Sequence, residues 1–198
     1  MIKFINLSSE EPYLIFKKKY DSALKEGQKN IEALSISTYN KVNKEVDSRY
    51  VNLKYVNDKK FIFFSNYKSP KAEAFKYHDQ IAALFYWPSI NTQIRIKAKI
   101  TKTSVSYNQA YFEKRSPGKN ALAISSEQST PITSYDNIIE NYQRAMKDSD
   151  LTKCPDYWGG FSFVPIYFEF WKGNDFRLNK RDVFKIKNKS WEHTIIQP

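Results

Sequence analysis

The clearest structural signal in the sequence is a strict alternation of polar and apolar residues that follows Thr92 and runs from Gln93 to Ile100. Ile or Ala occupies alternate positions, and Gln, Arg or Lys stands between them. Successive side chains of a β-strand point to opposite faces, so the pattern predicts a strand with one face in a core and the other in solvent. Because such a strand is stable only beside other strands, the rest of the chain must supply them.

Further strands and helices are predicted along the whole chain. The strands are predicted at residues 33–39, 46–55, 61–65, 81–87, 161–164, 167–171, 183–187 and 191–195. One helix is predicted between a cap at Ser8 or Ser9 and an end at Gly27, and others at 70–77, 105–114 and 134–146. The segment 81–87 is almost entirely apolar, which predicts a strand buried on both faces. Tight turns and the lack of βαβ alternation favour an antiparallel barrel with helices packed outside.

Length and residue usage limit the class of protein. At 198 residues the chain is expected to form one domain, 1–198, with residues 1–28 as an N-terminal helix region packed on the barrel. The single cysteine excludes an internal disulfide, and with two histidines no zinc site can be assembled, so we expect no metal. No signal peptide or membrane-spanning run is present in the sequence, and we expect a cytoplasmic protein without a membrane partner.

The formal net charge of +11 makes nucleic acid a candidate partner. The lysines are scattered along predicted helices and strands, however, and no helix-turn-helix, zinc-finger or RNA-recognition pattern accompanies them. We therefore expect no nucleic-acid partner. Most lysines are expected to be solvated, and a minority to bind phosphates.

Three cations lie close in sequence on predicted rigid elements. Arg49 and Lys54 fall in the strand 46–55, and Lys71 lies at the start of the helix 70–77, where free backbone N–H groups favour an anion. This arrangement indicates a site for a phosphorylated cofactor. Because Lys54 lies five positions after Arg49, an odd offset, we expect their side chains on opposite faces of the strand. The alternative is that both are surface charges.

A second dense region begins at Trp158-Gly159-Gly160 and ends at Arg181. Paired glycines allow close approach of the backbone to a ligand, and Arg177 and Arg181 are spaced to clamp a planar anion. The alternative is a purely structural glycine turn beside core aromatic residues. The spacing of the residues does not decide between a ligand-binding region and such a turn. No catalytic triad, P-loop or dinucleotide fingerprint occurs, and Cys154 lacks a histidine context, so an enzyme of this sequence must rely on a cofactor.

The order of these segments resembles the pyridoxamine 5'-phosphate oxidase family. The similarity runs from about Glu11 to Pro198. It is carried by Ser48-Arg49 to Lys54, Phe63 to Tyr67, Phe85-Tyr86-Trp87-Pro88, Gln93, Tyr111-Phe112, Gln128-Ser129, Trp158-Gly159-Gly160, Glu169-Phe170-Trp171 and Arg177-Leu178. The resemblance implies a mainly β (α+β) fold, an antiparallel Greek-key split β-barrel with peripheral helices that binds flavin mononucleotide (FMN).

The resemblance further implies a homodimer with FMN at each of two equivalent sites on the subunit interface. The implied FMN contacts are Arg49, Tyr50, Val51, Asn52, Leu53, Phe64, Ser65, Lys71, Gln93, Gln128, Ser129, Trp171 and Arg181. Arg49 and Lys71 are expected to neutralise the flavin phosphate. Gln93 and Gln128 are expected to hydrogen-bond nearer the ring system.

By the same resemblance, the chain is expected to be an FMN-dependent oxidase that converts pyridoxamine or pyridoxine 5'-phosphate to pyridoxal 5'-phosphate. A hydride would pass from the substrate's C4' to flavin N5, and dioxygen would reoxidise the flavin and yield hydrogen peroxide. The phosphorylated substrate is expected at Lys54, Tyr111, Arg115, Lys119, Arg177 and Asn179. Arg177 is expected to lie over the substrate ring as the catalytic residue, and no side-chain nucleophile is required.

Three positions depart from the family pattern. Pro70 replaces an arginine before the phosphate-binding lysine, Lys119 replaces a phosphate-binding serine, and Asn179 replaces a substrate-facing histidine. Because Asn does not titrate near neutral pH, a role that needs a protonatable ring is lost. These departures keep two alternatives open: an FMN-dependent oxidoreductase with a different substrate, for example a phenazine-type precursor, and a non-catalytic protein that binds flavin or pyridoxal phosphate.

Overall fold

The alternating segment forms an inner strand of a ten-stranded sheet. In this computed structural model, which describes residues 1–198, the strands are β1 (Lys3–Ile5), β2 (Ala33–Asn40), β3 (Glu45–Asn52), β4 (Tyr55–Asn57), β5 (Lys60–Asn66), β6 (Gln80–Trp87), β7 (Thr92–Lys102), β8 (Trp158–Lys172), β9 (Lys180–Lys187) and β10 (Ser190–Ile195). The helices are α1 (Glu11–Lys25), α2 (Pro70–Tyr77), α3 (Val105–Phe112), α4 (Pro117–Ser125) and α5 (Tyr135–Asp148). The predicted mainly β architecture with peripheral helices is confirmed.

The sheet divides at its longest strand, β8. The sheet order is β1-β4-β5-β8-β7-β6-β2-β3, with β9 added to β8 and β10 to β9. The first part of β8 pairs with β5 and the last part with β9, while β7 lies beside both parts. Lys97 of β7 pairs with Tyr167 of β8, whereas Ala98 pairs with Pro165, so β8 has one extra residue at this point. Such a bulge bends β8, which pairs with β5 before it and with β9 after it. One bent strand therefore replaces the two predicted at 161–164 and 167–171.

The core is a single cluster of buried aromatic and aliphatic side chains, and α1 closes one side of it. The face of α1 that meets the core carries Tyr13, Phe16 and Tyr20, which are all buried. The ring of Phe16 lies 5.1 Å from that of Phe61 and 5.4 Å from that of Phe85. Burial of large aromatic rings contributes most of the hydrophobic free energy that holds a helix on a sheet.

One face of the sheet stays exposed across β6 to β9. The prediction that 81–87 is buried on both faces is wrong, because burial alternates along β6 and leaves Leu84 and Tyr86 outside. Tyr86 pairs with Gln93, Gln93 with Trp171, and Trp171 with Arg181, so these residues form one row across the sheet. Single-sided burial is typical of antiparallel sheets.

The predicted strand 46–55 is wrong in one respect that affects the site. The chain forms two strands, β3 and β4, and leaves the sheet between them. The N–H of Leu53 donates to Glu32 O at 2.9 Å, whereas the N–H of Lys54 donates to Ile62 O at 2.8 Å. The first acceptor precedes β2 and the second belongs to β5, so the alternation of side chains is interrupted at Lys54.

Helices α3 and α5 begin and end within two residues of their predicted bounds, and larger differences occur at α1 and α4. The N-cap of α1 is Glu10 instead of Ser8 or Ser9, and the Ser8 hydroxyl accepts the N–H of Glu10 at 3.3 Å. Helix α4 was not predicted, because Ser116-Pro117-Gly118 has a turn-like composition, although Pro is also favoured in the first turn of a helix. None of the helices combines the length and apolar character needed to cross a lipid bilayer.

Removal of the Phe16 ring tests whether α1 is an integral part of the core. Phe16→Ala is expected to lower the free energy of unfolding by about 3–5 kcal/mol, since a fully buried ring is lost and a cavity remains. Leu14→Ala, on the exposed side of the same helix, is the matched control and should cost less than about 1 kcal/mol. Urea unfolding measures both, and equal losses would contradict the packing.

Candidate functional site

A cavity of about 800 Å³ opens between β3, β4 and β5 on one side and α2, α3 and α4 on the other. Most of the predicted site residues line it: Arg49, Tyr50, Val51, Asn52, Lys54, Phe64, Ser65, Lys71, Tyr111, Arg115, Lys119, Gln128 and Ser129. The cavity is strongly cationic, and Asp47 is the one acidic residue in its lining. Its side chains divide into two cationic ends and an aromatic wall.

The first cationic end contains a lysine almost completely removed from solvent. Lys71 lies in the first turn of α2, is 6% exposed, and donates from Nζ to Ser65 Oγ at 3.0 Å and Ser69 Oγ at 3.1 Å. Burial, and secondarily the charge of Arg49, lower the Lys71 pKa to about 8. No carboxylate pairs with this ammonium, so an anion in the cavity would stabilise its charged form.

Arg49 lies beside this end on β3. Its Nη1 donates to Thr38 Oγ1 at 2.8 Å and Ile36 O at 3.2 Å, and its Nη2 pairs with Asp47. These contacts hold the guanidinium in one orientation. The carboxylate of Asp47 is paired with Arg49, and no carboxylate lies within salt-bridge distance of Lys71.

The second cationic end is formed by Lys54, Arg115 and Lys119. Burial lowers the pKa of Lys54, and the neighbouring charges of Lys119 and Arg115 lower it further while Glu32 opposes them. The Arg115 Nη2 donates to Lys119 O at 3.2 Å, whereas its Nη1 is buried and meets no acceptor. A buried N–H without a partner carries a desolvation cost that a ligand oxygen would remove.

A stack of aromatic rings forms the wall between the two ends. The rings of Phe64 and Tyr111 are nearly parallel with centroids 3.6 Å apart, and Trp158 continues the stack 5.4 Å from Phe64. The Arg115 guanidinium lies 4.3 Å from the Trp158 centroid, a cation–π contact that orients it. Burial raises the Tyr111 pKa to about 12, so its hydroxyl stays protonated and can donate to an anion.

The expectation that Arg49 and Lys54 serve different faces is wrong, because both line this cavity. The break between β3 and β4 ends the alternation that the expectation assumed. Strand periodicity holds only while the residues stay in one ladder, and Lys54 bonds to β5 through its backbone.

Six predicted site residues do not line the cavity of their own chain: Leu53, Gln93, Trp171, Arg177, Asn179 and Arg181. Leu53 is buried in the core. Gln93, Trp171 and Arg181 form the row on the exposed sheet face. The remaining two lie at the loop between β8 and β9, where Arg177 is exposed and Asn179 Oδ1 accepts the N–H of Asn174 at 3.2 Å.

The glycine pair has a structural role inside the sheet. Gly159 and Gly160 lie in β8 opposite Ser65 and Phe64. A Cβ on Gly159 would fall 2.3 Å from both Asn108 Nδ2 and the Tyr67 hydroxyl, so the space beside it is already filled by side chains. The glycines thus permit close packing of the protein's own elements, and close approach of a ligand at this point is not supported.

Eight residues of the cavity lining were not predicted as site residues from the sequence, among them Asp47, Tyr55 and Trp158. Asp47 could have been found, since it lies two residues before Arg49 and therefore on the same face of β3. Trp158 stood in a motif without an assigned role. Nothing in the pattern marks Tyr55, whose ring meets Tyr111 edge-to-face at 5.8 Å.

Comparisons with known proteins agree over nearly the whole chain. Residues 158–198 match the family model described as the pyridoxine 5'-phosphate oxidase C-terminal dimerisation region. The chain is 35% identical to pyridoxine/pyridoxamine 5'-phosphate oxidase 1 of Hydrogenovibrio crunogenus, across 95% of this chain and 88% of that protein. It is 32% identical to the pyridoxine/pyridoxamine 5'-phosphate oxidase of Coxiella burnetii, across 95% of this chain and 96% of that protein.

Solved structures share the fold. PhzG from Burkholderia lata, in complex with tetrahydrophenazine-1-carboxylic acid, superposes with a TM-score of 0.90 at 22% identity and covers 96% of this chain and 93% of its own. A pyridoxamine 5'-phosphate oxidase-related, FMN binding protein from Nostoc punctiforme gives 0.76 at 14% identity, with 92% and 97% covered. At these identities the likeness concerns the fold alone, and it supports the predicted split barrel.

Sulfate, a dianion of constant charge, tests the site of Lys71. In the absence of an anion, the folded protein binds fewer protons than the unfolded chain between pH about 8 and the ordinary lysine pKa of about 10.4, so stability rises with pH in that window. Sulfate should bind the protonated lysine, and its stabilisation should be large at pH 7 and fall by pH 9.5. Thermal unfolding with and without sulfate measures this.

Lys71→Met should lower sulfate affinity at pH 7 by about tenfold or more and remove most of the pH dependence, because a charge-assisted contact is lost. Lys68→Met is the matched control, since Lys68 is exposed, lies over the Tyr157 ring and does not line the cavity. The same response in both variants would show that sulfate acts elsewhere.

Proposed function

Because this chain belongs to the pyridoxine/pyridoxamine 5'-phosphate oxidase family, we propose that it binds FMN and oxidises pyridoxamine or pyridoxine 5'-phosphate to pyridoxal 5'-phosphate, with dioxygen as electron acceptor and hydrogen peroxide as product. The observation that carries the proposal is one cavity with two separate cationic ends, each with an unsatisfied group: the ammonium of Lys71 and Nη1 of Arg115. Two phosphorylated molecules would satisfy both.

The end at Lys71 is the proposed site of the flavin phosphate. Lys71 and Arg49 supply charge, and the Ser65 hydroxyl lies between Lys71 Nζ and Gln128 Oε1, at 3.0 and 3.3 Å. Loss of the family's arginine at Pro70 removes one phosphate contact, worth about 1.5–3 kcal/mol. FMN, when bound, supplies a two-electron acceptor that dioxygen can reoxidise. The remaining contacts proposed in this chain are Tyr50, Val51, Asn52, Phe64 and Ser129, which all line the cavity.

The end at Lys54 is the proposed site of the substrate phosphate. Lys54, Arg115 and Lys119 supply positive charge, and the protonated hydroxyl of Tyr111 supplies a donor. Trp158 and Lys119 O hold the Arg115 guanidinium, so its position is fixed before a ligand arrives. These residues bind and orient the substrate, and no side chain is required as a nucleophile.

Cys154 is not a candidate nucleophile. Burial raises the pKa of its thiol to about 11, which keeps it unreactive at neutral pH.

A homodimer would complete each site. The C-terminal segment matches the family's dimerisation region. The exposed row from Tyr86 to Arg181 lies in the same part of the fold and includes apolar side chains that a second copy would cover. We propose that Gln93, Trp171 and Arg181 of one protomer contact the flavin held by its partner. Arg177 is proposed to lie over the substrate ring as the catalytic residue, with Asn179 beside the substrate.

A second candidate keeps the flavin and changes the substrate. It is favoured by Lys119, which lines the cavity in place of the family's serine and adds positive charge to an end that already holds Lys54 and Arg115. A substrate with more or differently placed negative charge, for example a phenazine-type precursor, would suit such an end. A non-catalytic flavin-binding protein would use the same cavity without turnover.

The lone cysteine fits a reducing compartment, and the cytoplasm remains the proposed location.

Oxygen consumption by the FMN-loaded protein tests the proposed reaction. With pyridoxamine 5'-phosphate, oxygen uptake should be matched by equal hydrogen peroxide, and dephosphorylated pyridoxamine should react far less efficiently. Arg115→Gln should raise KM for the phosphorylated amine by about 10–100-fold, since one charge-assisted phosphate contact is lost. The same variant should narrow the preference for the phosphorylated over the dephosphorylated amine.

Lys102→Met provides the control for that experiment, because Lys102 stacks on Tyr67 away from the cavity lining. Absence of turnover by the FMN-loaded protein with both pyridoxamine and pyridoxine 5'-phosphate would refute the first candidate. Turnover of another substrate would then support the second, and tight FMN binding without any turnover would support the non-catalytic protein.

A further inference from the structure

The exposed sheet face contains one buried carboxylate, that of Glu169 in β8. The residue is 1% exposed, and both carboxylate oxygens are fully used. Oε1 accepts from Nε and Nη2 of Arg181 at 2.9 and 2.7 Å. Oε2 accepts from Arg95 Nη1 at 2.7 Å and from the Tyr167 hydroxyl at 2.8 Å. Four donors on four acceptor positions make a closed network.

The network fixes the direction of Arg181. Two N–H groups of the guanidinium are held by Glu169, and Nη1 donates to the backbone oxygen of Gln197 at 3.1 Å. The backbone oxygen of Arg181 also accepts the N–H of Ile196 at 3.1 Å. A side chain with many rotamers is thereby held in one, and the N–H groups that remain on Nη1 and Nη2 keep a defined direction.

The charge of the cluster is also set by Glu169. Burial alone would raise the pKa of this carboxyl, but the hydrogen bonds from Arg181 and Tyr167 and the charges of both arginines hold it below its ordinary value. One carboxylate between two guanidinium groups leaves a net positive charge on the exposed face. Loss of the carboxylate would leave two like charges close together, so Arg95 and Arg181 would be driven apart.

From this geometry we propose that Glu169 is a positioning residue for FMN: it holds Arg181 in the direction from which Arg181 contacts the flavin bound by the partner subunit. The inference rests on the proposed function, since Arg181 has a ligand only if the chain binds FMN as a homodimer. It adds a residue to which the family resemblance assigned no role. Glu169 acts through Arg181 and does not itself touch the flavin.

A double-mutant cycle on FMN affinity tests the proposal, with affinity read from quenching of flavin fluorescence at protein concentrations where each variant is dimeric. Glu169→Gln should weaken FMN binding by about tenfold or more, because the charged partner of Arg181 is lost. In an Arg181→Gln background the same change should cost less than about twofold, since the residue through which it acts is gone. Tyr167→Phe, which removes one bond to the same carboxylate and leaves Arg181 paired, should stay within about twofold of the unchanged protein.

If Glu169 had only a structural role, Glu169→Gln would lower FMN affinity by the same factor in the unchanged protein and in the Arg181→Gln protein. Either that result or unchanged FMN binding by Glu169→Gln overturns the inference. If Glu169→Gln does not fold, Glu169→Asp replaces it, and its smaller loss must likewise disappear in the Arg181→Gln background. Thermal unfolding of the apoproteins separates folding from binding. Failure of the unchanged protein to bind FMN would contradict the proposed function itself, which is a distinct observation.

Discussion

The site depends on one energetic imbalance, the burial of the Lys71 ammonium without a carboxylate partner. Two serine hydroxyls solvate it, and the nearby carboxylate of Asp47 is already paired with Arg49. Burial of an unpaired charge is unfavourable and must be offset by the rest of the fold. Such a group is more often found in a binding site than in a purely structural core, because a bound anion removes the penalty. The lowered pKa of Lys71 is the measurable sign of this imbalance.

The long strand β8 connects this cavity to the opposite end of the sheet. Its first residue, Trp158, belongs to the aromatic wall, and its last part carries Glu169 and Trp171 on the exposed face. A single chain therefore presents a cavity at one end of β8 and a row of polar and aromatic side chains at the other. Since the row does not reach the cavity of its own chain, a second copy offers the simplest way to bring the two together. The closed network around Glu169 keeps this part of the row in a fixed arrangement.

Local patterns predicted the elements well and their connections less well. The alternation in β7 and the proline in the first turn of α2 predict those elements correctly, because each reflects local backbone geometry. The break at Lys54 and the bulge in β8 were missed, since each depends on which neighbouring strand accepts the backbone bonds. For the same reason Arg49 and Lys54 were assigned to different faces. The residues of the cavity were identified mainly from the order of motifs. Tyr55 and Glu169 were missed because their roles arise from contacts between distant segments, whereas strand periodicity around Arg49 would have identified Asp47.

The central claim is that each FMN site combines Lys71 of one protomer with Trp171 and Arg181 of the other. Mixed dimers of a Lys71→Met chain and a Trp171→Ala chain, purified with two different affinity tags, test it most directly. In such a dimer one site has both changes and the other has neither. The account predicts that each parent variant binds FMN weakly, whereas the mixed dimer recovers one site per dimer with the affinity of the unchanged protein. Mixed dimers that bind FMN no better than the two parents would contradict it.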